Sequence, residues 1–161
     1  MYGYAGKLLF VDLSTGETEV RQLDEALARY FIGGPSLGAK ILYDEMPAKT
    51  DVFSEDSMVG FIAGPANGSG ALMGGRYTVV CKSPVTGGWN DANSGGHFGP
   101  QLRQSGYDGV FVKGISKKPV YIFIDDGKVE IRDASHLWGK VTSETEAAIK
   151  RELGDNRVGI A

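Results

Sequence analysis

The chain contains 161 residues, of which 17 are Lys or Arg and 20 are Asp or Glu, giving a formal net charge of −3. This length predicts one domain with a buried core, and the lack of a basic excess argues against a nucleic-acid partner. The apolar runs are much shorter than the roughly 18 residues of a membrane span, so no membrane segment is predicted. A single cysteine and an N-terminus without an apolar leader favour a reducing, cytoplasmic setting.

The predicted elements alternate between strands and short helices along residues 1–161. In chain order, the hydrophobic patterns and turn residues predict a β-hairpin over 7–13 and 17–23, helices over 25–32 and 37–45, strands over 58–63 and 76–82, a loop over 89–96, a helix over 98–104, strands over 109–113, 120–124 and 128–132, and a final helix that ends at Leu153. Asp24 is expected to cap the first helix, and a capping box of Ser143 and Glu146 to begin the last one. Together these elements predict a single α+β domain of mainly antiparallel sheet with several short helices.

Glycine is abundant and unevenly placed, since 14 of the 24 glycines lie between Gly60 and Gly114. The charged residues from Gly60 to Gly106 are Arg76, Lys82, Asp91 and Arg103. A stretch with such small side chains and so little charge is not typical of a solvated surface. Two interpretations stay open, namely tight strand packing with turns, or a surface that another group covers.

Two features of this stretch suit an anionic ligand. Arg76 is an isolated arginine at the start of an apolar strand, and a buried arginine there needs a distant carboxylate or a bound anion as its partner. The absence of Asp or Glu nearby in the sequence favours the anion. The segment Asn93-Ser94-Gly95-Gly96 offers backbone groups without bulky side chains, which could approach a polyanion or hold magnesium. Taken alone, that tetrapeptide is more typical of an ordinary loop before a helix.

Other candidate chemistries have less support. The segment 68–75 superficially resembles a dinucleotide fingerprint, but its spacing differs and a strand pattern follows it instead of a helix. Cys81 is expected to be a small core residue, and His97 and His136 lack metal-ligand spacing. No nucleophile–base arrangement is apparent in the sequence, so no catalytic residue is assigned.

Three long segments resemble the N-terminal domain of the tungsten-dependent aldehyde:ferredoxin oxidoreductases. They are MYGYAGKLLFVDLSTGETEV, GGRYTVVCKSPVTGGWNDANSGGHFGPQLRQSGYDGVFVKG and KPVYIFIDDGKVEIRDASHLWG. The resemblance spans the whole chain, because the motifs GGRY, ANSGG, GYDG and DASHLWG occur in the family's order and approximate spacing.

The resemblance implies that the domain forms the base for a bis-pterin tungsten (or molybdenum) cofactor, beside an iron–sulfur cluster of the 4Fe-4S type. It implies that Arg76 lies between pterin and cluster, and that Asn93 and Gly95 contact the cofactor. The backbone carbonyl of Asn93 would help to hold the magnesium that bridges the two pterin phosphates. The whole enzyme would oxidise an aldehyde to a carboxylic acid and pass electrons to ferredoxin.

The sequence has a single cysteine and lacks the later pterin-binding motifs of that family. We therefore expect a domain truncated at its C-terminus, whose partners are downstream domains of the same enzyme. The isolated chain is expected to hold no cofactor and to be inactive, and a homo-oligomer stays open. The alternative is a non-catalytic scaffold or partner-binding domain that keeps the fold without cofactor. A reading frame that continues past Ala161 with cysteines in cluster spacing would favour the enzyme.

Overall fold

The computed structural model describes residues 2–161, which form eight strands and four helices. These are β1 (Lys7–Asp12), β2 (Glu17–Gln22), α1 (Glu25–Phe31), α2 (Gly34–Glu45), β3 (Met58–Ala63), β4 (Tyr77–Lys82), β5 (Trp89–Ser94), α3 (Phe98–Gln104), β6 (Gly109–Lys113), β7 (Val120–Asp125), β8 (Lys128–Asp133) and α4 (Thr142–Leu153). Six strands form one sheet in the order β2-β1-β6-β3-β4-β5, and β7 and β8 form a separate hairpin. All pairs are antiparallel except β1–β6, which is parallel. The predicted α+β class with mainly antiparallel pairing is confirmed.

One face of the six-stranded sheet is covered by α1 and α2. The core on this side consists of Leu8, Phe10, Leu23, Ala28, Leu37, Ile41, Leu42, Met58, Ile62, Val80 and Phe111. The rings of Phe10 and Phe111 stack with their centroids 5.3 Å apart. A Cβ on Gly38 would lie 2.7 Å from Val80 Cγ2, so the glycine allows α2 to approach β4 closely. Helix α2 therefore packs directly against β4.

The opposite face of the sheet is covered by α3 and the β7–β8 hairpin. Leu9, Val11, Leu102, Tyr107 and Val110 form the buried core there, and apolar residues of β7 and β8 pack against them. A smaller cluster of Ala134, Leu137 and Ile149 attaches α4 beside the hairpin. The sheet is thus covered on both faces over its centre. No helix within residues 2–161 combines the length and the hydrophobicity of a membrane span.

Most predicted elements are confirmed to within three residues, but two predictions are wrong, the loop over 89–96 and the capping box of α4. The predicted loop over 89–96 contains β5, because pairing with β4 outweighs the loop-like composition of WNDANS. Helix α2 begins at Gly34, three residues earlier than predicted, with Pro35 in its first turn. The capping box is absent, since Val141 is the N-cap of α4 and Ser143 lies inside its first turn. The predicted cap of α1 is present, because Asp24 Oδ1 accepts a hydrogen bond from Leu27 N at 3.0 Å.

Candidate functional site

Strands β4 and β5 bring the three predicted site residues together at one end of the sheet. Their antiparallel register pairs Tyr77 with Ser94 and Thr78 with Asn93, so that one residue further Arg76 is level with Gly95. Side chains alternate along strands, and therefore Arg76, Asn93 and Gly95 belong to the sheet face that carries Thr78. We call segments 74–76 and 93–96 together the glycine platform. The predicted strand over 76–82 begins one residue later, which leaves Arg76 just outside β4.

The start of α2 lies at the same end and on the same face as the glycine platform. A Cβ on Gly34 would lie 3.3 Å from Thr78 Oγ1, whereas Gly38, one turn later, approaches Val80. The helix thus follows β4 and has its N-terminus towards Arg76. The N-cap residue Gly33 makes no side-chain capping bond. The positive end of the helix dipole therefore adds to the charge of Arg76 at this end of the sheet.

The two segments of the glycine platform approach each other backbone to backbone. A Cβ on Gly75 would lie 3.0 Å from the main-chain oxygen of Gly96. Gly96 itself has φ +112°, a conformation that disfavours any larger residue. A Cβ on Gly95 or Gly96 would meet nothing within 4 Å, so both main chains are accessible from outside. Glycine thus serves close contact between the segments and leaves their outer surface bare.

Arg76 is exposed, which differs from the buried position considered in the sequence analysis. Among residues 2–161 its guanidinium takes part in none of the ion pairs, and it donates no hydrogen bond. Its main-chain oxygen, in contrast, accepts a hydrogen bond from Asn67 Nδ2 at 2.7 Å. The backbone is fixed while the cationic group is free, so the charge can pair with an anion from outside this part of the chain.

Asn93 is held by its side chain, while the strand that carries it is open to solvent. Its Oδ1 accepts a hydrogen bond from Thr78 Oγ1 at 2.9 Å. Strand β5 is the last strand of the sheet, and every residue from 84 to 97 is exposed. Within residues 2–161 no group of three or more His, Cys, Asp or Glu side chains could hold a metal ion. The glycine platform offers no carboxylate as a metal ligand, so its oxygen ligands are main-chain carbonyls and the neutral side chains of Asn93 and Ser94.

Sequence analysis missed the residues that hold the β3–β4 connection in place. Asn67 is one of them, and a signal exists in the sequence, because an asparagine in a Gly-Pro turn tends to bond to nearby backbone. Arg103 Nη1 donates to the main-chain oxygens of Asn67 at 2.6 Å and Pro65 at 3.2 Å. Its Nε lies 4.0 Å from Oδ1 of the buried Asp108. The Asp108 carboxylate also acts on Tyr4. Burial raises the pKa of the Tyr4 hydroxyl, and the negative charge of Asp108 raises that pKa further.

A cavity of about 480 Å³ lies next to the platform, between α3 and the segment 156–160. Ser94 and Gly95 line one side of it, and Arg76 does not line it. Gln101 also lines the cavity, and its Nε2 donates a hydrogen bond to the main-chain oxygen of Arg157 at 2.5 Å. Lys150 and Glu146 also line the cavity, and they form an ion pair in which Lys150 Nζ lies 2.6 Å from Glu146 Oε1. Two of the polar groups that line the cavity, Gln101 and the Lys150–Glu146 pair, thus already have partners within the chain.

Comparison with known proteins assigns the chain to a family. Residues 8–161 match the model of the aldehyde ferredoxin oxidoreductase N-terminal domain. The chain is 52% identical over 161 residues to the tungsten-containing aldehyde ferredoxin oxidoreductase of Thermococcus kodakarensis and 48% identical to that of Pyrococcus furiosus. Each alignment covers 100% of this chain and 27% of the relative, so the chain spans about a quarter of the length of these relatives.

A solved structure has the same fold. It is the active site complex BamBC of benzoyl coenzyme A reductase in complex with 1,5-dienoyl-CoA, with a TM-score of 0.94 and 38% identity over 97% of this chain and 24% of that chain. The match in structure, like those in sequence, covers nearly the whole of this chain and about a quarter of the longer protein. The chain belongs to the aldehyde ferredoxin oxidoreductase family, of which it is the N-terminal domain.

Proposed function

We propose that this chain forms the cofactor base of an oxidoreductase that oxidises aldehydes to carboxylic acids. The observation that carries the proposal is the free guanidinium of Arg76 beside the bare main chain of Gly95, two residues from Asn93. The group that these residues would hold is a bis-pterin cofactor of tungsten or molybdenum together with magnesium. When bound, this group supplies the oxygen-transfer and electron-transfer chemistry.

The glycine platform fits a large anionic group. No side chain covers Gly95 or Gly96, so the main chain there is open to close approach. Arg76 offers a planar fork of donors that suits phosphate and other oxyanions. The Asn93 carbonyl is an oxygen ligand of the kind that magnesium takes, while Thr78 holds the Asn93 side chain. In this proposal Arg76, Asn93 and Gly95 bind and orient the group, and no proton transfer is assigned to them.

The remaining components of the proposed enzyme lie outside residues 2–161. Cys81 is the single cysteine and is unpaired, so a 4Fe-4S cluster would take its ligands from later domains of the same enzyme. Electron transfer to ferredoxin and the aldehyde-binding pocket belong to that larger protein. The unpaired cysteine also supports a reducing, cytoplasmic location for it.

The test compares Arg76→Ala and Arg76→Lys in the full-length enzyme that carries this domain. Arg76→Ala removes charge-assisted hydrogen bonds worth about 1.5–3 kcal/mol each, so we expect cofactor affinity to fall about tenfold or more. It should also lower the reduction potential of the bound centre and slow its reduction. Arg76→Lys keeps the charge but loses the fork, and should preserve more of the potential than of the rate. Tungsten, molybdenum and magnesium analysis, redox titration and stopped-flow reduction measure these effects.

Arg21→Ala is the matched control, because Arg21 lies at the opposite edge of the sheet and is paired with Glu19 and Glu45. It should leave metal content and potential unchanged. Metal content, potentials and rates that are all unaffected by Arg76→Ala would contradict the proposal. A full-length protein without metal or pterin would favour the scaffold alternative instead.

A further inference from the structure

Asn67 lies in the connection between β3 and β4 and links its two ends. The residue is 3% exposed. Its Nδ2 donates to the main-chain oxygen of Arg76 at 2.7 Å, and its main-chain N donates to the oxygen of Gly64 at 3.0 Å. Its own main-chain oxygen accepts a hydrogen bond from Arg103 Nη1 at 2.6 Å. Asn67 therefore ties the backbone just before β4 to the turn that follows β3.

The other half of the same amide group is buried without a partner. Within residues 2–161, Asn67 Oδ1 accepts no hydrogen bond. It faces α3 at Gly99, where a Cβ would lie 2.7 Å from it. A reversed amide would place this oxygen against the carbonyl oxygen of Arg76, so the orientation is fixed by the bond to Arg76. An unsatisfied buried acceptor is unfavourable for folding, and stability alone does not explain an asparagine at this position.

We infer that Asn67 is a positioning residue that acts through Arg76. The guanidinium of Arg76 has no partner within residues 2–161, so the fixed part of its position is the point at which the side chain leaves the main chain. The bond from Asn67 holds that main chain and thereby sets where the guanidinium projects from the glycine platform. This inference rests on the proposed function, because it assigns Asn67 the task of presenting Arg76 to the bound cofactor.

The residues around Asn67 are arranged to keep it in place. Gly99 leaves room for the amide, as any Cβ there would be too close to Oδ1. A Cβ on Gly74 would overlap the main-chain oxygen of Ala66, the neighbour of Asn67. Arg103 supports the turn from the side of α3 through its bonds to Pro65 and Asn67. The side chain of Arg103 is 17% exposed, so this support is largely shielded from water.

The test uses two variants of the full-length enzyme that disturb Asn67 in different ways. Asn67→Leu removes the donor and the unsatisfied acceptor together and keeps the branched shape of the side chain. Gly99→Ala keeps Asn67 but displaces its amide, while alanine favours the helix that carries it. Thr50→Val is the matched control, because Thr50 is 8% exposed and its Oγ1 donates to the main-chain oxygen of Pro47 at 2.6 Å. Thr50 lies near the opposite end of β4, where its main-chain oxygen accepts from Lys82.

The first readout is hydrogen–deuterium exchange of the peptide that covers residues 74–77, which can be followed with or without bound cofactor. We expect exchange about tenfold faster in Asn67→Leu and Gly99→Ala and unchanged in Thr50→Val. The second readout is the reduction potential of the loaded enzyme. Asn67→Leu should shift it in the same direction as Arg76→Ala, and the double variant should show no further shift.

Unchanged exchange at residues 74–77 in both Asn67→Leu and Gly99→Ala would overturn the inference. So would a potential shift that persists in full when Arg76 is already alanine, because Asn67 would then act independently of it. An effect of Arg76→Ala without any effect of Asn67→Leu rejects this inference alone and leaves the proposed function standing. No effect of Arg76→Ala on metal content or potential rejects both.

Discussion

The two edges of the six-stranded sheet are both exposed, but they are built differently. At the β2 edge, the guanidinium of Arg21 lies 2.7 Å from carboxylate oxygens of Glu19 and Glu45 and 3.9 Å from the centroid of the Phe10 ring. At the β5 edge, Asp91 is the single charged residue of the strand, and it accepts a hydrogen bond from Trp89 Nε1 at 2.9 Å. Charged side chains protect an edge strand from pairing with other chains. The β2 edge has three such residues and the β5 edge has one, so the β5 edge is less protected.

The difference separates an edge whose charged groups are paired within the domain from an edge with unpaired groups beside it. The charges at the β2 edge are matched within the chain, whereas Arg76 beside the β5 edge is matched by nothing within residues 2–161. Leu72 and Met73, in the connection that leads to Arg76, are 96% and 98% exposed. Low charge, exposed apolar groups and an unpaired cation thus occur together. This combination is typical of a surface that another group covers, as the proposed function requires.

The largest expected change in stability comes from a substitution that separates α2 from β4, the strand that begins next to the glycine platform. Gly38→Leu places a side chain where a Cβ alone would already lie 2.7 Å from Val80, so we expect a loss of roughly 1–3 kcal/mol in the free energy of unfolding. Gly88→Ala is the control, since its Cβ would have Thr86 Oγ1 as nearest neighbour at 3.5 Å. Urea unfolding of the 161-residue chain measures both. Equal stability of the two variants would show that α2 does not depend on this close approach.

Self-association of the isolated chain tests the two edges directly. Trp89 on β5 and Val20 on β2 are 46% and 47% exposed, so they form a matched pair. Because β5 has a single charged residue, we expect the isolated chain to associate through this edge and Trp89→Lys to weaken association about tenfold, or about 1.4 kcal/mol. Val20→Lys should have little effect. Sedimentation velocity over a range of concentrations decides this, and a chain that is monomeric throughout contradicts it.

Local patterns in the sequence were sufficient to predict most of the fold. The hairpin of β1 and β2 has short β-rich runs around a glycine turn, and α1 begins at the aspartate cap formed by Asp24. Strand β5 could not be predicted in this way, because WNDANS shows no alternation of apolar and polar residues. Its strand conformation comes from the long-range pairing with β4. Where tertiary pairing decides the conformation, local propensity is a poor guide.

The candidate site was predictable in its residues but not in its support. Scarcity of charge and the family resemblance singled out Arg76, Asn93 and Gly95, and the β4–β5 register brings them together. Neither signal pointed to Asn67, because its importance lies in a bond to the main chain of a residue nine positions away. A pairing of this kind depends on the path of the connection, which the sequence pattern does not specify.

A smaller effect distinguishes the two arginines in the stability of the isolated chain. Arg21→Ala removes two ion pairs and the contact with the Phe10 ring, which together are worth about 1 kcal/mol at an exposed site. Arg76→Ala removes a side chain without partners within residues 2–161 and should stay within about 0.5 kcal/mol of the parent. Chemical unfolding of both variants measures the difference. A larger loss in Arg76→Ala than in Arg21→Ala would mean that Arg76 supports the fold itself.

The smallest expected change in stability concerns an ion pair that, like those at the β2 edge, forms between two residues of this chain. Lys118 Nζ lies 2.6 Å from Asp133 Oδ2 beside the β7–β8 hairpin, and this hydrogen bond, with that from Ser135, holds the pKa of the carboxyl well below its usual range. A lowered pKa in the folded state means that Asp133 stabilises the fold above the unfolded pKa of about 4 and that this contribution is lost as the pH falls below it. Asp133→Asn should therefore reduce stability at pH 6, and the difference from the parent should shrink towards pH 2. Urea unfolding at both pH values tests this, and a difference of equal size at the two would show that the charge of Asp133 does not contribute.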